Sequence, residues 1–192
     1  MSKRLICFGD SITARETFEN GAYRLTPRLR IALSDWEVLN AGISGNNTRD
    51  AVARIYDDVL SFNPDLVIVL LGANDTASHK RIDITEYRAN LLQITNLITP
   101  QKAVLVSPSP VDENRPRNRT NIDIKRYCEV VEDVAHTTGS QFINLFFHMI
   151  AHPGYISFLS DGLHFNESGY EFLSDFLFSH IVLLCRQNGR QY

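Results

Sequence analysis

"LICFGDSIT", residues 5–13, sets four apolar side chains directly before a glycine, a carboxylate and two hydroxyls. A continuous apolar run without polar alternation suits a strand covered on both faces, as in a parallel sheet. Four further runs fit that pattern: "WEVLNA" from Trp36, "LVIVLLG" from Leu66, "AVLVS" from Ala103 and "QFINLF" from Gln141. Between them, apolar residues recur at helical spacing. Val52, Ile55, Tyr56, Val59 and Leu60 share one face behind a Thr48 cap. Tyr87, Leu91, Ile94 and Ile98 follow Thr85 and stop before Pro100. Tyr127, Val130, Val131 and Val134 form a third stripe closed by Gly139. The last stripe runs from Tyr170 through Leu173, Leu177, Ile181 and Leu184, with Asn166 as its cap. An earlier helix is expected between Tyr23 and Leu33, with Pro27 in its first turn. Strands alternating with helices predict an α/β chain, with five parallel strands covered by helices on both faces.

Length and charge narrow the function classes. A chain of 192 residues, 44% hydrophobic, is expected to form one domain over 1–192. Its net charge of −3 gives no general pull toward nucleic acid or an anionic membrane. The apolar runs are too short to span a bilayer, and the start is too short in apolar residues for a signal peptide. Cys7, Cys128 and Cys185 are odd in number, widely spaced and without a CxxC pair, which suggests reduced thiols and a cytoplasmic location.

Ligands of open α/β sheets bind beyond the carboxyl ends of the strands. There stand Gly9, Asp10 and Ser11, then "GISGNN" (Gly42–Asn47), "GANDT" (Gly72–Thr76) and Ser107–Pro110, with "SDGLHF" (Ser160–Phe165) further on. Serine becomes a nucleophile when a base takes its proton and a third group fixes that base. Asp161 and His164, three residues apart in a Gly-containing turn, are close enough for one to orient the other toward Ser11. Standing alone, "DGLH" reads better as a helix-entry turn in which Asp161 caps and His164 lies on the surface. An acyl-transfer oxyanion needs donors, and the Gly45 N–H, the Asn74 amide and the Ser11 N–H suit that task. Taken singly, Gly45 is a turn glycine and Asn74 an Asx-turn residue.

In order, "FGDSIT", "GISGNN", "LLGAND" and "SDGLHF" resemble the four blocks of the SGNH, or GDSL-type, esterase and lipase superfamily. That resemblance spans Phe8 to Phe165. It implies a flavodoxin-like α/β/α fold that needs no metal or cofactor. It also implies Ser11 as nucleophile, Gly45 and Asn74 in the oxyanion hole, and Asp161 and His164 as acid and base. Asp10 and Asp75 are expected to brace loops by accepting backbone hydrogen bonds. "SPSPVDE" together with "SDGLHFNESGY" is similar to the isoamyl acetate-hydrolysing branch, implying small acyl groups on alcohols or sugars. The implied partner is a small-molecule ester, with no nucleic acid.

Other features carry less. His148 and His152 have i,i+4 spacing but no third ligand nearby in sequence, so two partly exposed histidines are expected rather than a metal pair. Arg115, Arg117 and Arg119 are read as a solvated loop with local acidic partners. Residues 76–83, 109–121 and 147–160 are expected to shape the pocket, the last as an apolar wall or as a helix on the core. Two alternatives to a serine esterase remain at this point. One is a metal-dependent phosphoester hydrolase using Asp10, Asn74, Asp75 and His164; the other is an inactive binding module.

Overall fold

The computed structural model describes residues 2–115 and 118–187. Five parallel strands form one sheet in the order β2-β1-β3-β4-β5: β1 (Lys3–Gly9), β2 (Trp36–Gly42), β3 (Leu66–Leu70), β4 (Ala103–Val106) and β5 (Gln141–Ile143). Because successive side chains alternate across a sheet, the opening run needs cover on both sides. Leu5 and Cys7 join one core with α1 (Leu25–Ala32), α5 (Leu145–Ile150) and α6 (Glu167–Gln187). Ile6 and Phe8 join the other with α2 (Thr48–Asp58), α3 (Ile84–Ile98) and α4 (Asn121–Thr138). The three-layer α/β/α expectation holds, and this strand order is the flavodoxin-like one.

The helix ends show where local reading was one residue off. Asn47, not Thr48, caps α2, its side chain exchanging hydrogen bonds with Asp50. Asp83 caps α3 by accepting from the Thr85 N–H at 2.8 Å. Tyr56, expected on the buried stripe of α2, is 71% exposed; helical spacing put it one step beyond the face that Ala51, Ile55 and Val59 bury. Gly139 closes α4 in the left-handed conformation, as expected. Asn166 accepts from the Gly169 N–H at 2.9 Å at the start of α6.

Strand β1 has β2 on one side and β3 on the other. The chain leaves β1 for one face of the sheet, through α1, and leaves β3 for the other, through α3. That change of side opens a crevice at the carboxyl ends of β1 and β3, where Ser11 and Asn74 emerge.

Candidate active site

Ser11 sits in a tight turn directly after β1. The Asp10 carbonyl accepts the N–H of Thr13 at 3.2 Å and of Ala14 at 2.9 Å. Gly9 is needed for close approach: a Cβ there would stand 2.3 Å from Thr13 Oγ1 and 2.6 Å from the Leu70 carbonyl. Two groups from outside the turn hold its carbonyls. Arg24 donates to the Ser11 oxygen at 2.8 Å and to the Tyr170 hydroxyl, and Tyr170 donates to the Ile12 oxygen at 2.9 Å.

From this turn the Ser11 hydroxyl reaches His164 Nε2 at 3.0 Å. His164 Nδ1 in turn lies 2.9 Å from Asp161 Oδ2. The other Asp161 oxygen accepts the N–H groups of Leu163 at 3.0 Å and His164 at 2.8 Å. Partial burial opposes ionisation of Asp161, but the His164 ring and these two N–H groups outweigh it and lower its pKa to about 2. An ionised Asp161 accepts only, so the Nδ1 proton of His164 faces it and the Nε2 lone pair faces Ser11. This arrangement can take a proton from a hydroxyl.

Donors surround the same point. Gly45 holds a φ of +84°, a conformation glycine adopts without steric cost. The Asn74 amide donates one proton to the Asn46 carbonyl at 2.9 Å, leaving its second for the cleft that Asn74 lines. Among the described residues, no backbone acceptor takes the N–H of Ser11 or of Gly45. Ser11, Gly45, Asn74 and His164 all line one cleft of about 540 Å³.

Asp10 and Asp75 lie behind that cleft, both buried. Asp10 accepts the Ile12 N–H at 2.9 Å. Asp75 accepts both the N–H and the hydroxyl of Thr48, at 2.9 and 2.5 Å, tying the start of α2 to the loop after β3. Burial raises the Asp10 pKa to about 7, helped by the neighbouring Asp75 charge and opposed by the Ile12 hydrogen bond. Burial likewise raises Asp75 to about 6 against its Thr48 hydrogen bonds. Both side chains face protein interior.

Residues 7–172 match the model of the GDSL-like lipase/acylhydrolase family. The chain belongs to this family. It is therefore a carboxylic ester hydrolase by class. The human isoamyl acetate-hydrolyzing esterase 1 homolog is 32% identical, over 93% of this chain and 79% of that protein. An acetylxylan esterase of Geobacillus stearothermophilus is 32% identical over 56% of this chain and 53% of its own length. The crystal structure of a lipase/acylhydrolase from Enterococcus faecalis superposes with a TM-score of 0.87 at 31% identity, covering 93% of this chain and 95% of that one.

Several residues of this GDSL-like hydrolase escaped sequence reading. Arg54 of α2 donates to the carbonyls of Gly9 and Ala41, both at 2.9 Å, and to Asn46 Oδ1 at 2.6 Å, while pairing with Asp58 at 2.7 Å. It thereby joins the ends of β1 and β2 to the loop carrying Gly45. Arg119, expected in a solvated loop, instead reaches the Ala73 carbonyl and donates to Asn74 Oδ1 at 3.2 Å. Arg115 does find a local acid, Asp112 at 3.6 Å, and donates to the Ser160 carbonyl at 3.1 Å. Arg117 lies outside the described residues. No sequence signal distinguishes Arg119 from its neighbours, because its target arrives from β3.

The three expected pocket loops contribute unequally. His79 and Lys80 come from the first, Arg119 from the second, and only Ser160 from the third. The aromatic part of that third stretch turns away from the cleft: Phe158 packs on the α6 side of the core. His148 and His152 are exposed and pack on α6 rings: His148 stacks on Phe176 at 4.1 Å between centroids, and His152 meets Phe172 edge-on at 5.7 Å. Among the described residues, no three His, Cys, Asp or Glu side chains gather closely enough to hold a metal ion. No helix among them is long and apolar enough to cross a membrane.

Proposed function

We propose that this hydrolase cleaves small or medium acyl esters of alcohols or sugars through an acyl-enzyme on Ser11. The observation carrying this reading is the continuous chain from Ser11 Oγ to His164 at 3.0 Å and from His164 to Asp161 at 2.9 Å. His164 Nε2 takes the Ser11 proton as the oxygen attacks the ester carbonyl. Charge developing on the carbonyl oxygen is met by the N–H groups of Ser11 and Gly45 and the Asn74 amide. His164 then gives its proton to the departing alcohol, and a water activated by the same nitrogen releases the acid. Asp161 stays ionised throughout and steadies the imidazolium. Relatives named for isoamyl acetate and acetylxylan support a short acyl group.

The chain acts in this reading as one domain, since groups from Ser11 to His164 meet on a single sheet edge. Three buried cysteine thiols are consistent with a reducing compartment. Ser11→Ala is the direct test. Hydrolysis of p-nitrophenyl acetate should fall to near the uncatalysed rate while the melting temperature holds, and acid-quenched wild-type enzyme should carry an acetyl group on Ser11. Full activity of the Ser11→Ala variant would refute the reading.

A further inference from the structure

The cleft has a charge that the chain as a whole does not. The protein has 22 acidic residues against 19 lysines and arginines, yet the described residues of the cleft wall include Arg15, Arg24, Lys80 and Arg119 and no aspartate or glutamate. Two of these cations are already committed. Arg24 holds the Ser11 carbonyl, and Arg119 holds Asn74. The other two, Lys80 and Arg15, differ in being exposed to solvent, although Lys80 also holds a carbonyl.

Lys80 is exposed, and its ammonium donates to the Gly45 carbonyl at 3.1 Å. A Cβ on Gly45 would stand 3.3 Å from that same nitrogen, so the charge sits against the loop carrying the oxyanion donor. No carboxylate among the described residues pairs with it. Arg15 is exposed as well, lines the same cleft, and forms no salt bridge with a described residue. Its backbone adopts a φ of +67°, a conformation that disfavours a non-glycine residue. The adjacent carboxylate, Glu16, is turned away to Arg30 at 3.0 Å. Glu19 borders a neighbouring groove with Arg15 and Arg24 but not the cleft.

A cleft with low-dielectric walls of one sign focuses its field on whatever enters. Two solvent-facing cations on the wall of one cleft, neither in a salt bridge with a described residue, call for an anion. Resting on the esterase reading above, we propose that the preferred substrates are esters carrying a carboxylate or other anionic group within a few bonds of the scissile carbonyl, met by Lys80 and Arg15. Neutral acetates are then cleaved as truncated substrates, without this contact.

Two ester pairs test the idea: phenyl acetate against monophenyl succinate, with the charge on the acyl side, and the methyl ester of 4-acetoxyphenylacetic acid against the free acid, with the charge on the alcohol side. For each pair the readout is the ratio of kcat/KM, anionic over neutral, in wild type, Lys80→Gln, Arg15→Gln and the double variant. Using this ratio divides out intrinsic reactivity and any general loss of activity. A unit charge about 7 Å from the anion is worth about threefold even in bulk-like water, and more where water is excluded. The double variant is expected to lower the ratio by threefold or more for at least one pair, and 0.5 M salt should do the same to wild type. A smaller fall for both pairs overturns the proposal while leaving the esterase reading intact. Failure of wild type to cleave any of the four esters overturns both. Melting temperatures confirm that the variants fold, as expected for exposed side chains.

Discussion

Replacing Asp10 by asparagine should flatten the pH dependence of stability. In the folded protein the Asp10 carboxyl is wholly buried and titrates near pH 7, raised chiefly by that burial, whereas its ordinary value is 3.8. Between those two values the unfolded chain has released a proton that the folded chain still holds. Raising the pH through this window therefore favours the unfolded state, and the contribution is gone above pH 7. From pH 5 to pH 7 the folded group lags by two pH units, equivalent to about 2.7 kcal/mol at about 1.36 kcal/mol per unit. Asparagine keeps an oxygen for the Ile12 N–H and removes the titration. Urea unfolding can be followed by the fluorescence of Trp36, the single tryptophan, which is 5% exposed. The difference in unfolding free energy, Asp10→Asn minus wild type, should rise by about 2–3 kcal/mol between pH 5 and pH 8. Asp75 remains in both proteins, and its own titration, near pH 6, largely cancels in that difference. A difference that stays flat, or falls with pH, would refute the view that burial dominates at Asp10.

Asp161→Asn should lower kcat on p-nitrophenyl acetate by about 10⁴ at neutral pH, because an amide proton facing Nδ1 leaves the Nε2 proton pointing at Ser11; a fall under tenfold would contradict the proposed tautomer. Arg119→Met frees the Asn74 oxygen that Arg119 holds at 3.2 Å and should cost kcat about tenfold to a hundredfold. In that series KM should move little and Arg119→Lys should restore part of the rate, whereas a change confined to KM would assign Arg119 to substrate binding. Gly42→Ala sets a Cβ 2.4 Å from the Ala14 nitrogen and 2.6 Å from the Thr13 carbonyl carbon, both backbone. The turn carrying Ser11 must shift, and thermal unfolding should show a loss of about 1–3 kcal/mol or more together with loss of activity. A neutral outcome there would mean that the two loops separate freely.

Much of the fold was legible because burial leaves a linear trace. A strand covered on both faces cannot carry polar side chains, so "LICF", "LVIVLL" and "AVLV" stand out, and each matches a strand. Helix faces were read nearly as well, with one error at Tyr56, where a residue at the edge of a stripe faces solvent. Cap positions slipped because Asn47 competed successfully with its neighbour Thr48, whose hydroxyl is taken by Asp75 from another loop. Gly9 ends β1 because Thr13 and Leu70 leave no room for a side chain, and Leu70 is far away in sequence.

The linear order of residues carries the layered α/β architecture and the short motifs that place Ser11, Gly45, Asn74, Asp161 and His164 at one sheet edge. It can do so because strand burial, caps and the Asp161–His164 spacing are local, acting within a few residues. Which of the arginines and lysines reach that edge depends on the assembled fold. Arg24, Arg54, Arg119 and Lys80 find carbonyls and an amide brought by other elements, while Lys80 and Arg15 line the cleft in no salt bridge with a described residue. Long cationic side chains extend far from their own backbone, and their destination depends on what the fold places within reach.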